Sequence, residues 1–199
     1  SKFSFFESEL GPKILKGNRL FSVFDFDSNI GSFESLDDSA VFELYKNEYL
    51  LYFDRMVWNN DNQIQNFVQL SENKALLRSI SKCKDSPSFN ADVASFDLET
   101  FILDVDVVDE IYIPPVHIEP DSFHIRILAN GDIDRLHNAT LSIDTDTKTK
   151  YSFYDAEVDI FSSINFKGSA IFDYKYIESY PQQIKFSSYK PELIISINR

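Results

Sequence analysis

Between Asp155 and Ile160 the chain alternates without a break: Asp155, Glu157 and Asp159 carry charge, and Ala156, Val158 and Ile160 are apolar. A period of two places the two sets on opposite faces, so this stretch reads as a strand buried on one side. The pattern recurs through the second half. Phe101, Leu103, Val105 and Val107 share a face against Asp104 and Asp106, and Phe123, Ile125 and Ile127 alternate with His124 and Arg126. Phe172, Tyr174 and Tyr176 oppose Asp173 and Lys175, and Leu193, Ile195 and Ile197 follow near the end. Pro114-Pro115, Asn130-Gly131 and the polar run Asp144 to Lys150 punctuate these strands as turns. No room remains for the crossover helices of a doubly wound fold, so residues 91–199 are expected to form an antiparallel β-sandwich.

The first half reads differently. Leu20 to Asp27 alternates as a strand, and Ala40 to Tyr45 and Tyr49 to Asp54 flank Lys46-Asn47-Glu48 as a hairpin whose loop lacks glycine. Asn60 stands three residues before Gln63 like a capping box, and Ile64, Phe67 and Val68 then fall on one helical face. Ser71 is placed to cap a continuation carrying Ala75, Leu76, Leu77 and Ile80, and Pro87 closes it. The expectation is a bent helix, or two short ones, over 61–82. Residues 1–90 would then be an α+β portion, joined through the polar stretch 84–95 to the sandwich or continuous with it. No internal repeat stands out.

The core material suits sheets. Nineteen Phe and ten Tyr accompany one Trp and one Met, and aromatic residues bury large areas and favour strands.

The charge is one-sided, with 32 Asp and Glu against 19 Lys and Arg for a net −13. Both halves share the excess, so this is not an acidic tail on a neutral domain. Such a surface repels nucleic-acid phosphates and anionic membranes, and neither is expected as a partner. No run of 18 apolar residues exists to span a bilayer. The lone Cys83 forms no internal disulfide, which favours a reducing, cytoplasmic setting.

Recognisable chemistry is sparse. The five glycines (11, 17, 31, 131 and 168) form no phosphate-binding loop, and no cofactor is expected. The Asp-x-Asp pairs at 25/27, 104/106, 132/134 and 144/146 read as solvent faces of strands. Asp144 to Lys148 puts lysine where a calcium loop needs an oxygen ligand. Asp173-Tyr174-Lys175, with Asp155 or Asp159 nearby, reads as salt-bridge chemistry rather than a nuclease centre, and Cys83 has Lys82 and Lys84 beside it but no histidine in sequence. His117, Glu119 and His124, with His137 beyond them, are the one grouping from which a metal-dependent hydrolase could draw its ligands.

The strongest regional feature is electrostatic. No Lys or Arg occurs between Lys84 and Arg126, whereas ten acids do. The leading expectation is therefore a non-catalytic acidic protein-binding module that docks a basic macromolecule, acting as an inhibitor or neutraliser. Asp104, Asp106, Asp109 and Glu110 would form its rim, with Asp155, Glu157 and Asp159 as a second face. The alternatives are a glycan-binding or surface-attachment sandwich, stacking sugars on Trp58 or an exposed Tyr, and the hydrolase.

Overall fold

Residues 61–82 contain strands where a helix was expected. Ile64–Val68 and Ala75–Ser79 are both extended, and their buried positions alternate: Gln65 and Phe67 in one, Ala75, Leu77 and Ser79 in the other. Gln65 and Ser79 are polar yet buried, which hides the period of two from a hydrophobicity reading. Ile64, Phe67 and Val68 were left to mimic a helical face. Asn60 and Gln63 cap nothing, because the Gln63 Nε2 donates to the Asn60 carbonyl at 2.6 Å inside a hairpin loop. The N–H groups of Leu70 and Ser71 donate to the Asp54 carboxylate at 2.9 and 2.8 Å.

The computed structural model describes residues 2–6, 12–37, 41–81, 87–144, 150–174, 180–189 and 192–197, with side chains for 12–37, 41–81, 87–143 and 151–172. Among them there is no α-helix, only a three-residue 3-10 turn at Asp121–Phe123. The protein is almost entirely β, in three antiparallel sheets, and the α+β portion does not exist. Among the described residues no helix is long and apolar enough to cross a membrane. Cys83 and its flanking lysines, the 145–149 tip and the side chains of Asp173 to Lys175 lie outside the described residues.

The strands come in units of four. β1 (Lys2–Phe6), β2 (Lys13–Asn18), β3 (Leu20–Asp25) and β4 (Ile30–Ser35) form the first. β5 (Val41–Leu44), β6 (Tyr49–Tyr52), β7 (Arg55–Asn59) and β8 (Ile64–Val68) form the second. β9 (Ala75–Ser79), β10 (Ser88–Ala91), β11 (Val93–Asp97) and β12 (Leu103–Asp106) form the third. The leading hairpin of each unit joins the first sheet, ordered β1-β2-β5-β6-β9-β10, and the trailing hairpin joins the second. A fourth unit begins with β13 (Ile111–Ile113), β14 (Val116–Glu119) and β15 (His124–Ile127), and β15 completes the second sheet as β15-β12-β11-β8-β7-β4-β3. β13 and β14 instead start the third sheet, continued by β16 (Leu136–Asp144), β17 (Lys150–Ser162), β18 (Asn165–Tyr174), β19 (Tyr180–Tyr189) and β20 (Glu192–Ile197). Stacking each unit on its neighbour is how repeat proteins assemble a continuous core.

Tight loops close these hairpins by one device. The four-residue loops 26–29, 45–48 and 60–63 and the five-residue loop 98–102 each place a left-handed residue at their fourth position: Asn29, Glu48, Gln63 and Phe101, all with φ between 54° and 57°. The 45–48 loop thus turns without glycine. The inner faces of the first two sheets meet through Phe42, Phe53 and Phe67, whose rings approach edge-on and tilted at 5.2 and 5.8 Å. At Gly31 the missing side chain leaves space for the rings of Phe24 and Phe33, which a Cβ would meet at 3.3 and 2.9 Å.

Candidate docking surface

The outer face of the second sheet carries Asp104 and Asp106, as alternation requires, because Leu103 and Val105 face the core. The register sets a base opposite each acid: Asp104 pairs with Arg126 and Asp106 with His124. The Arg126 Nε donates to Asp104 at 2.8 Å, the His124 Nδ1 lies 2.8 Å from Asp106, and its Nε2 lies 3.4 Å from Asp104. Most of the other expected rim residues are also engaged. Asp109 accepts from Lys74 at 2.5 Å, Glu110 meets His117 at 2.9 Å and Glu157 meets His137 at 2.8 Å. Asp159 takes a two-pronged bond from Arg135 at 2.8 and 2.7 Å, and that hydrogen bonding holds its carboxyl below the usual carboxylate range. Asp155 is exposed, on a left-handed residue at an irregularity of β17. These are surface pairs, screened by solvent and individually weak. Their consequence is electrostatic: the base-free interval in sequence is not base-free in space.

The structure does not bring the expected metal ligands together. His117 and Glu119 lie on β14 in the third sheet and His124 on β15 in the second, each histidine against a different carboxylate. Among the described residues no three His, Cys, Asp or Glu side chains converge as ligands. A cleft of about 330 Å³ does gather His124, Arg126, Arg135 and His137, but with Asp121 and Asp134 in its wall, and with both arginines already bonded to Asp104 and Asp159. Trp58 packs against the core with its ring 5.8 Å from Phe24.

A different set of acids is aligned. Asp25, Asn59 and Asp97 end β3, β7 and β11 and occupy one cross-strand row with Ile30 and Ile64. Each accepts a hydrogen bond from the backbone two residues on: Asp27 N to Asp25 at 3.0 Å, Asp61 N to Asn59 at 2.9 Å and Glu99 N to Asp97 at 2.7 Å. Asn130 repeats the turn after β15, taking Asp132 N at 3.1 Å. An exposed acid therefore projects from each turn: Asp27, Asp61, Glu99 and Asp132. Neighbouring turns are tied together, Asn60 N to Asn29 O and Leu98 N to Gln63 O, both at 3.1 Å, with Asn29 Nδ2 reaching Asp61 at 3.3 Å. Since two strands separate successive turns, the acids recur about every 10 Å along one edge.

The two carboxylate acceptors, Asp25 and Asp97, are held as anions. The Ser28 hydroxyl and Asp27 N–H keep Asp25 below the usual carboxylate range. Burial alone would raise Asp97, but the N–H groups of Glu99 and Thr100 outweigh it and hold this carboxyl low too. No Lys or Arg occurs within 24–31, 59–64, 97–102 or 130–132. The neighbouring Lys46 lies over the Phe101 ring at 3.9 Å. Phe26, in the first turn, is 82% exposed.

Sequence reasoning missed this ridge, yet a signal exists. Phe24-Asp25-x-Asp27-x-x-Ile30-x-x-Phe33 recurs as Trp58-Asn59-x-Asp61-x-x-Ile64-x-x-Phe67 and as Phe96-Asp97-x-Glu99-x-x-Ile102-x-x-Val105. The Asp25/Asp27 pair belongs to this repeat and is not merely a strand's solvent face. No protein-family model, curated protein or solved structure matches the chain.

Proposed function

We propose that the protein is a non-catalytic docking module that occludes a cationic surface of a macromolecular partner through its row of turn acids. The observation carrying this reading is the regular row Asp27, Asp61, Glu99 and Asp132, one carboxylate per hairpin turn on a rigid hydrogen-bonded edge. A spacing of about 10 Å matches every third residue of an extended chain or every seventh of a helix. The row adds steering and register more than affinity, because exposed ion pairs contribute about 0.2–1 kcal/mol each. Affinity requires a desolvated anchor, and Phe26, exposed at one end of the row, offers one.

The test is an extended peptide with lysine at every third position and a control of identical composition with its lysines contiguous. The reading expects the spaced peptide to bind at least fivefold tighter, with amide shifts centred on residues 27, 61, 99 and 132. Equal binding, or shifts spread over the whole surface, would overturn it.

A further inference from the structure

At the end of the acidic row a cavity of about 100 Å³ opens where the three sheets meet. Its lining combines Tyr49 of the first sheet, Asp132 from the turn after β15, and Ile160 and Phe161 of the third sheet, with Asn47 at its edge. Tyr49 and Asn47 are wholly buried. The Tyr49 hydroxyl and the Asn47 Oδ1 have no hydrogen-bond partner among the described residues, which is costly for groups out of water. The Asn47 side chain cannot turn to relieve this, because its Nδ2 is committed to the carbonyls of Phe101 and Leu128 at 2.8 and 2.9 Å. Burial pushes the Tyr49 hydroxyl up from its ordinary range, and the Asp132 charge adds to the shift, so the hydroxyl stays protonated and the carboxylate bears on it.

The unmet needs define the ligand. Asn47 Oδ1 can only accept a hydrogen bond, and the Tyr49 hydroxyl can accept one besides donating its own proton. Asp132 already accepts from Asn130 Nδ2 at 2.7 Å but keeps its charge and further acceptor sites, and Pro87, Ile133, Ile160 and Phe161 supply apolar wall. A ligand with several donors, a positive charge and a short alkyl stem meets the open acceptors, the charge and the apolar wall together. The volume is several times the ~10–15 Å³ that admits one water. We propose that this cavity is a primary-alkylammonium site that receives a lysine side chain of the docked partner. The inference rests on the docking reading above and gives it a second anchor, at the opposite end of the row from Phe26.

The probe is n-butylammonium, with n-butanol as the uncharged control, titrated into the full chain and followed by amide shifts. A saturable response at Gly131 and Asp132, weakened at least fivefold in Tyr49→Phe and in Asp132→Asn, is expected, with no saturation by butanol. Tyr49→Phe removes one hydroxyl from a buried ring, so an unchanged melting temperature separates lost binding from lost folding. Absence of a saturable response, or equal responses to amine and alcohol, overturns the site. The two readings fail separately. Asp27→Lys with Asp61→Lys breaks the row and leaves the cavity intact, so spaced-peptide binding that depends on those acids beside a silent butylammonium titration removes the lysine site alone.

Discussion

The main-chain carbonyl of Asn47 occupies the space that a Cβ on residue 131 would need, and Gly131 adopts φ +85° beside it. The contact joins a hairpin turn of the first sheet to the turn after β15, and the Asn47 side chain spans the same junction through its bonds to Phe101 O and Leu128 O. Gly131→Ala adds left-handed strain of about 1–2 kcal/mol and overpacking of about 1–3 kcal/mol. The expected loss is about 2–5 kcal/mol in a urea titration. Asn47→Ala strips the donors from two carbonyls and is expected to destabilise by a similar amount. The double variant should lose less than the sum, because both changes open one junction.

Glu48→Gly is expected to stabilise by up to about 1 kcal/mol. Glu48 holds a left-handed backbone at φ 56° that glycine adopts without strain, and its carbonyl, which accepts from Ile80 N at 2.6 Å, is kept. A denaturation midpoint that falls would show that the Glu48 side chain supports the loop.

Hairpins and strand faces were largely legible in the sequence, and the units they form were not. Ala156, Val158 and Ile160 are buried as their alternation requires, and the 45–48 and 130–131 turns fall where they were read. The helix failed because Gln65 and Ser79 are buried polar residues, so hydrophobicity alone carried the wrong period. The pairing of the docking acids was hidden for a related reason. Asp104 and Asp106 were read along the chain, whereas their partners lie across it on β15: Arg126 at the end of the interval without Lys or Arg, and His124 inside it. The Asx turns were concealed because Asp and Asn accept the same hydrogen bond from different letters, and because the projecting acid is Asp in three turns and Glu in one.

Acid pH should loosen the turns and the Arg135–Asp159 pair. Asp25, Asp97 and Asp159 all titrate below their ordinary value, so their stabilisation is present above about 3.9 and is lost as the pH falls through their folded values. Asp97→Ala is expected to destabilise at neutral pH, with the gap to the parent protein narrowing as the pH falls below the ordinary carboxylate range. A gap that stays constant across that fall would assign the effect to packing rather than to the ionised acceptor.

Alkaline pH acts through Tyr49. Its hydroxyl titrates above the ordinary tyrosine range, so its stabilisation holds below about pH 10 and is lost as the pH rises further. Tyr49→Phe is expected to blunt that alkaline loss and to be neutral or slightly stabilising at pH 7, since it removes an unpaired buried hydroxyl. An undiminished alkaline limb would place the titrating group elsewhere.

In the proposed docking, the position of the acidic row matters and its total charge does not. The direct measurement compares association rates of the lysine-spaced peptide with two variants of equal net charge. One reverses Asp27, Asp61, Glu99 and Asp132 to lysine. The other reverses Glu34, Glu72, Glu119 and Asp121, which are exposed outside the row. The account expects the row variant to lose at least tenfold in on-rate at about 0.15 M salt, where charges beyond ~8 Å are largely screened, and the control to lose less than about threefold. Equal losses in the two variants would show that only the net −13 matters and would contradict the account.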